Sequence, residues 1–274
     1  MNEMRSHQLQ AVVQLEWKRS FFNRRSWWIY LLAFGPTLVA GLHTMKQLQV
    51  QDPQCQLSAD LDVFAGIFQL FYLRLGIFFG CVGLFSNLFR GEILSKTLHY
   101  WFLTPVRREI VVAGKYLAGV LAASTIFGVA VVSTYLLIGY HHTAELAEFF
   151  ATGPGKAHLY WYLLTAVLAC FGYGAIFLAS GLLIRNPLIP AVVILVWEGG
   201  NSFLPPLLQK ISAVHYLKSL CPTPVRLDGL DALLAVSVEP TPPVLAIAGL
   251  LGLSAVILGF AAMRARTTEI SYSE

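Results

Sequence analysis

Two ionisable side chains, Arg74 and Glu198, stand inside long apolar stretches of this chain of 274 residues. Each lies about 16 Å along its stretch at the helical rise per residue. A charge that deep in a bilayer costs roughly 3 kcal/mol or more, so it needs a partner or a wet cavity. Two readings stay open: with Gln69 and Asn201 the pair lines a polar path, or Arg74 and Glu198 form an ion pair that pins two segments together. Cys55 and Cys221 fall in loops on one side, where an oxidising milieu would allow a disulfide; the alternative is two thiols that never meet. Cys81 and Cys170 lie within apolar runs as packing residues. His141 and His142 are adjacent, share no helix face and have no Cys or carboxylate cluster at ligand spacing, so no metal site is expected. His99 and His215 fall on opposite sides of the membrane and cannot build one catalytic site. No Gly-rich phosphate loop with a following Lys-Ser or Lys-Thr occurs. No catalytic residues are therefore assigned, and the chain is not expected to be an enzyme.

The elements that must position these residues are six apolar runs, spanning residues 26–45, 63–89, 116–140, 159–184, 186–209 and 242–263. Each has about the 20 residues that cross a ~30 Å hydrocarbon layer as a helix. Four contain no Asp, Glu, Lys or Arg. The composition agrees: 56% of residues are hydrophobic, 12% are charged, and mean hydropathy is +0.63. A soluble domain carries about 25% charged residues. The expected fold is all-α, one polytopic transmembrane domain over residues 1–274. Thirteen of the 19 Lys and Arg fall in segments that one topology places together, which puts both termini in the cytoplasm. The basic face suits anionic lipid headgroups. Nucleic acid is not an expected partner, because no long basic patch stands free of the membrane.

Residues 1–25 read as an interfacial amphipathic helix, with Leu9, Val13, Trp17 and Phe21 recurring every four residues and Trp27-Trp28 following at the water boundary. Packing of that helix on protein is the competing reading. The fifth run is interrupted by Pro187, Pro190, Gly199, Gly200, Pro205 and Pro206, which disfavour an undisturbed helix. Residues 207–243 read as an outer loop with short helices. Gly172, Gly174 and Gly181 in the fourth run permit close helix approach.

The loop over residues 90–115 is the most specific segment. Ile93, Leu94, Thr97, Leu98 and Trp101 can share one side of a short helix. Pro105 ends it, and a new helix begins near Arg108. A helix slung between two transmembrane helices can pass on a rigid-body push. The pattern Gly91-Glu92, Thr97-Leu98, Thr104-Pro105-Val106, Arg108 and Gly114-Lys115 resembles the signature loop of type-2 ABC transporter permeases. The Glu16-Trp17-Lys18-Arg19 run, the six spans, the long last outer loop and the basic exit at Arg264 and Arg266 are similar to that family as well. The resemblance covers essentially the whole chain. It implies a permease of an ABC exporter in a bacterial cytoplasmic (inner) membrane. Such a permease works as a dimer, with itself or a close paralogue, beside two copies of a separate ATPase that binds ATP and Mg. No cofactor is implied in this chain. By the same resemblance, Glu92 through Thr104 form a coupling helix in a groove of the ATPase. Gly91, Glu92, Ser95, Lys96, Thr97, Leu98, Trp101, Thr104, Pro105 and Arg108 are the ATPase-coupling residues. The competing function is a secondary transporter driven by an ion gradient, with Glu198 as proton carrier; it ordinarily brings inverted repeats and more intramembrane carboxylates.

Overall fold

The computed structural model describes residues 2–21, 27–50, 55–97, 103, 107–184, 186–225 and 239–267. Among them there is no strand. The protein is an all-α polytopic membrane protein. Five helices are long and apolar enough to cross a bilayer: α2 (Trp27–Val50), α3 (Leu57–Leu94), α4 (Arg108–Ile138), α6 (Gly155–Leu183) and α10 (Pro243–Thr267). Before them comes α1 (Asn2–Phe21), and α5 (Thr143–Ala151) caps the turn between α4 and α6.

The fifth expected span differs from the sequence reading. Residues 186–209 form no single helix. Instead α7 (Leu188–Gly199) stops after 12 residues, a 3-10 turn covers Asn201–Phe203, and two short helices follow, α8 (Pro206–Gln209) and α9 (Ala213–Ser219). Twelve residues span about 18 Å, too short for a ~30 Å core. Gly199-Gly200 and Pro205-Pro206 break the helix where the sequence raised the alarm. Because α6 ends beside the 95–107 loop and α10 begins at the opposite end, the chain still crosses between them, but by this broken path. The 95–107 end is called the near end below, and the other the far end.

The bundle core is α3, α4 and α6. Of the most apolar stretch of α6, 78% is buried, against 28% for α2 and 22% for α10, so the latter two line the outside. Lipid is as apolar as the core, so contact must come from close packing rather than from hydrophobic expulsion. Gly181 shows this. A Cβ there would sit 2.7 Å from the Ser86 carbonyl oxygen and 2.8 Å from its Cα, so α6 lies directly on the α3 backbone. A backbone cannot step aside as a side chain can. Gly181→Ala should therefore cost about 1–3 kcal/mol by overpacking and lower the melting temperature in detergent by several degrees. Gly252→Ala, with nothing within 4 Å, should leave it unchanged.

A hydrogen-bonded seam also joins the helices. The Tyr72 hydroxyl donates to the Ala33 carbonyl at 3.0 Å and lies 2.8 Å from Thr134 Oγ1, which is 2.7 Å from Thr37 Oγ1. Tyr72 sits in a stretch of α3 wound as π-helical turns over Ile67–Gly76. Such turns are rare and concentrate at functional places; this one carries Gln69 and Arg74.

The N-terminal helix packs on protein. Val12 is buried against α4, where Gly114 has no Cβ to collide with Val12 Cγ1. Leu15 stays 56% exposed, which leaves one apolar face of α1 turned away from the bundle.

Candidate functional site

At the near end four charged side chains from three helices meet, three of them buried and the fourth, Arg19, half-exposed. Lys115, in the second turn of α4, is fully buried, and its ammonium donates to Glu16 Oε1 at 2.6 Å and to Glu92 Oε1 at 2.8 Å. Arg19 donates to the same Glu92 oxygen at 2.7 Å and lies 4.0 Å from Glu16 Oε1. The Lys115 ammonium also stands 5.5 Å from the centre of the Phe89 ring. Two cations and two anions thus balance, which makes the burial of Lys115, Glu16 and Glu92 tolerable. The network ties α1, the last turn of α3 and the first turns of α4 into one unit. The sequence marked Glu16, Arg19, Glu92 and Lys115 in separate motifs. Their convergence was not readable, because residues 16, 92 and 115 sit on different helices.

Glu92 therefore turns inward: it is 1% exposed and presents no face to a partner in this conformation. The first residues that the resemblance assigns to a coupling helix belong to α3. Glu92, Ile93 and Leu94 are the last turn of α3. That helix closes on a reciprocal pair of bonds, Thr97 N to Glu92 O at 2.9 Å and Lys96 N to Ile93 O at 3.2 Å. Lys96 takes the left-handed conformation (φ 55°) that this closure requires and that glycine usually fills. Ser95 Oγ donates to Gly91 O at 2.8 Å and touches Thr97 Oγ1 at 2.9 Å. Gly91 itself faces Asn87, whose Oδ1 would be 2.7 Å from an added Cβ. Arg108 donates to the Ala265 carbonyl at 3.1 Å and so ties the start of α4 to the end of α10. Leu98, Trp101, Thr104 and Pro105 lie outside the described residues. Leu103 is described and is 78% exposed.

Midway through the bundle the second group of sequence candidates is rearranged. No Arg74–Glu198 ion pair forms among the described residues. Instead the Glu198 carboxylate accepts from Ser212 Oγ at 2.7 Å, Val214 N at 2.8 Å and Ala213 N at 3.1 Å. It caps the start of α9 and holds the broken crossing in its turn; an acceptor is what exposed backbone N–H groups at a helix start need. Sequence spacing showed a buried acid but not that its partners were a hydroxyl and two backbone N–H groups 14 to 16 residues on. Gln69 Nε2 donates to Thr223 O at 2.8 Å, and Asn201 Nδ2 to Gln209 O at 3.4 Å, so both hold the same returning segment. Arg74 Nε is buried with no hydrogen-bond partner among the described residues.

The cysteines do not join. Cys55 and Cys221 form no disulfide. Cys221 Sγ lies 3.5 Å from the Leu217 carbonyl. Cys55 sits at the far end, 3.5 Å from His141 Nε2 and 3.6 Å from Asp60 Oδ2. The sequence reading looked for ligands only near His141-His142 in the chain. The structure gathers His43 from the end of α2, Cys55 and Asp60 from the start of α3, and His141 from the turn after α4. Burial, and then His142, pull His141 below the ordinary imidazole range, while Asp60 opposes them.

No family model matches this chain, and no curated protein is similar to it in sequence.

Proposed function

We propose that this chain is the membrane-spanning permease subunit of an ATP-driven ABC exporter, working as a dimer with two separate ATPase subunits that bind ATP and Mg. The reading adds a bacterial cytoplasmic membrane, both termini inside, and no catalysis by the chain itself. One observation carries it. The helix ends that flank the loop between α3 and α4 are tied together, with Glu92 of α3 and Lys115 of α4 bound to each other and to Arg19 and Glu16 of α1. A displacement of that loop therefore moves the two longest helices and the N-terminal helix as one body, which is what a lever driven by a nucleotide-hydrolysing neighbour needs. The broken fifth crossing supports the reading more weakly. Its short helices are held by a few polar contacts, from Glu198, Gln69 and Asn201, which suits a segment that rearranges near an exit.

The exposed part of the lever gives the test. Co-reconstituted with the ATPase subunit that co-purifies with it, the chain should stimulate ATP hydrolysis. Leu103→Arg should reduce that stimulation about tenfold or more, by placing a charge in an apolar seat, while the melting curve of the isolated chain stays unchanged. Stimulation equal to the wild type would remove the coupling assignment.

A further inference from the structure

Four potential metal-ligating atoms converge at the far end of the bundle: a nitrogen of His43, Cys55 Sγ, a carboxylate oxygen of Asp60 and a nitrogen of His141, all within 4.8 Å of one another. The separations are informative. His43 Nε2 is 3.3 Å from Asp60 Oδ1, and His141 Nε2 is 3.1 Å from Asp60 Oδ2. Cys55 Sγ is 3.5 Å from His141 Nε2 and 3.8 and 3.6 Å from the two Asp60 oxygens. In a tetrahedral zinc site with bonds of about 2.0–2.3 Å the edges between ligands are about 3.3–3.7 Å. Four of the six edges, His43–Asp60, His141–Asp60, Cys55–His141 and Cys55–Asp60, fall close to that range, and the other two stay within 4.8 Å. A second observation agrees. His43 Nε2 is buried and makes no hydrogen bond among the described residues, although a carboxylate oxygen lies 3.3 Å away. It is close to the carboxylate without pointing an N–H at it, as expected when both atoms aim at a common third point. The His43 and His141 rings stand edge to face, 5.5 Å apart, which leaves room between their nitrogens.

The geometry points to a zinc-class metal site formed by His43, Cys55, Asp60 and His141. Two imidazoles, a thiolate and a carboxylate select a borderline transition metal over Mg or Ca, which take oxygen ligands. Four protein ligands leave no open position, so the site is of the closed, structural kind. His142 Nε2 lies 3.3 Å from Asp60 Oδ2, the oxygen that His141 also approaches, with Glu145 3.9 Å from its Nδ1. The ion would clip the far ends of α2, α3 and α4, which otherwise meet there through weak polar contacts. The site lies at the opposite end from the 95–107 loop and does not depend on the exporter reading.

The test uses the full chain, free of any polyhistidine tag, purified in detergent, stripped with a chelator and reloaded with zinc. After dialysis it should retain one zinc per chain, and added Mg or Ca should not displace it. Cobalt in place of zinc should give the intense visible bands of a tetrahedral site and a near-ultraviolet thiolate-to-cobalt band. Cys55→Ser should abolish that band and weaken zinc binding about 100-fold, and Cys221→Ser should change neither. Background zinc in the reloaded wild type would overturn the assignment. So would a Cys55→Ser protein that matches the wild type in both readings. Should that variant fail to fold, the wild-type cobalt spectrum decides alone: a tetrahedral thiolate spectrum supports the site, and its absence refutes it.

Discussion

Lys115→Met should be strongly destabilising, by about 3–5 kcal/mol, because it removes the buried cation on which two carboxylates converge. Glu16 is hit hardest. Its Oε1 keeps only Arg19 at 4.0 Å, whereas Glu92 keeps Arg19 at 2.7 Å. The expected result is loss of folded protein in detergent and release of α1 from α4, seen as new protease cleavage before residue 21. The sharper expectation concerns compensation. Lys115→Met with Glu16→Gln removes one charge of each sign and should recover about half or more of the lost stability. A hydrophobic methionine and a neutral amide are cheap to bury where a lone carboxylate is not. If the double variant is as unstable as the single one, the network is not what holds the near end together.

Glu198→Ala should be the second large loss. It withdraws the acceptor of a hydroxyl and two backbone N–H groups, all buried, and stranded donors cost about 1–3 kcal/mol each. The damage should be local. Hydrogen exchange over residues 204–220 should accelerate, while exchange in α4 and α6 stays at the wild-type rate. Glu198→Gln, which keeps one acceptor oxygen, should fall between. The combined Arg74→Glu and Glu198→Arg exchange should give no rescue, since the two side chains are not partners. Full rescue by that exchange would restore the ion-pair reading.

The sequence announced the membrane bundle plainly, because runs of 20 apolar residues have few other physical solutions. It also announced the trouble in the fifth run, since Pro187, Gly199-Gly200 and Pro205-Pro206 each oppose a straight helix. It did not show that the break is severe enough to stop α7 at Gly199. That depends on Glu198 rewarding a turn with three hydrogen bonds. Its ends were less legible than its middles: α3 begins at Leu57, six residues before the apolar run, because Asp60 finds buried histidines. The marked residues of the near-end network were visible one by one. Their meeting was not, since contacts between residues 16, 92 and 115 leave no periodic trace. The far-end cluster was missed for the same reason. Its ligands are 98 residues apart at the extremes, from His43 to His141, and a search confined to neighbouring positions cannot find them.

The central claim is that residues 95–107 receive force from a nucleotide-hydrolysing subunit. Its most direct test is a photo-crosslinking amino acid at position 103 in the native membrane, since Leu103 is 78% exposed. The account predicts a crosslink to a single protein that carries a phosphate-binding loop and hydrolyses ATP, with a yield that changes when ATP is trapped. It is contradicted if position 103 is reached by a membrane-impermeant reagent from outside sealed cells, or if its crosslinks include no nucleotide-binding protein.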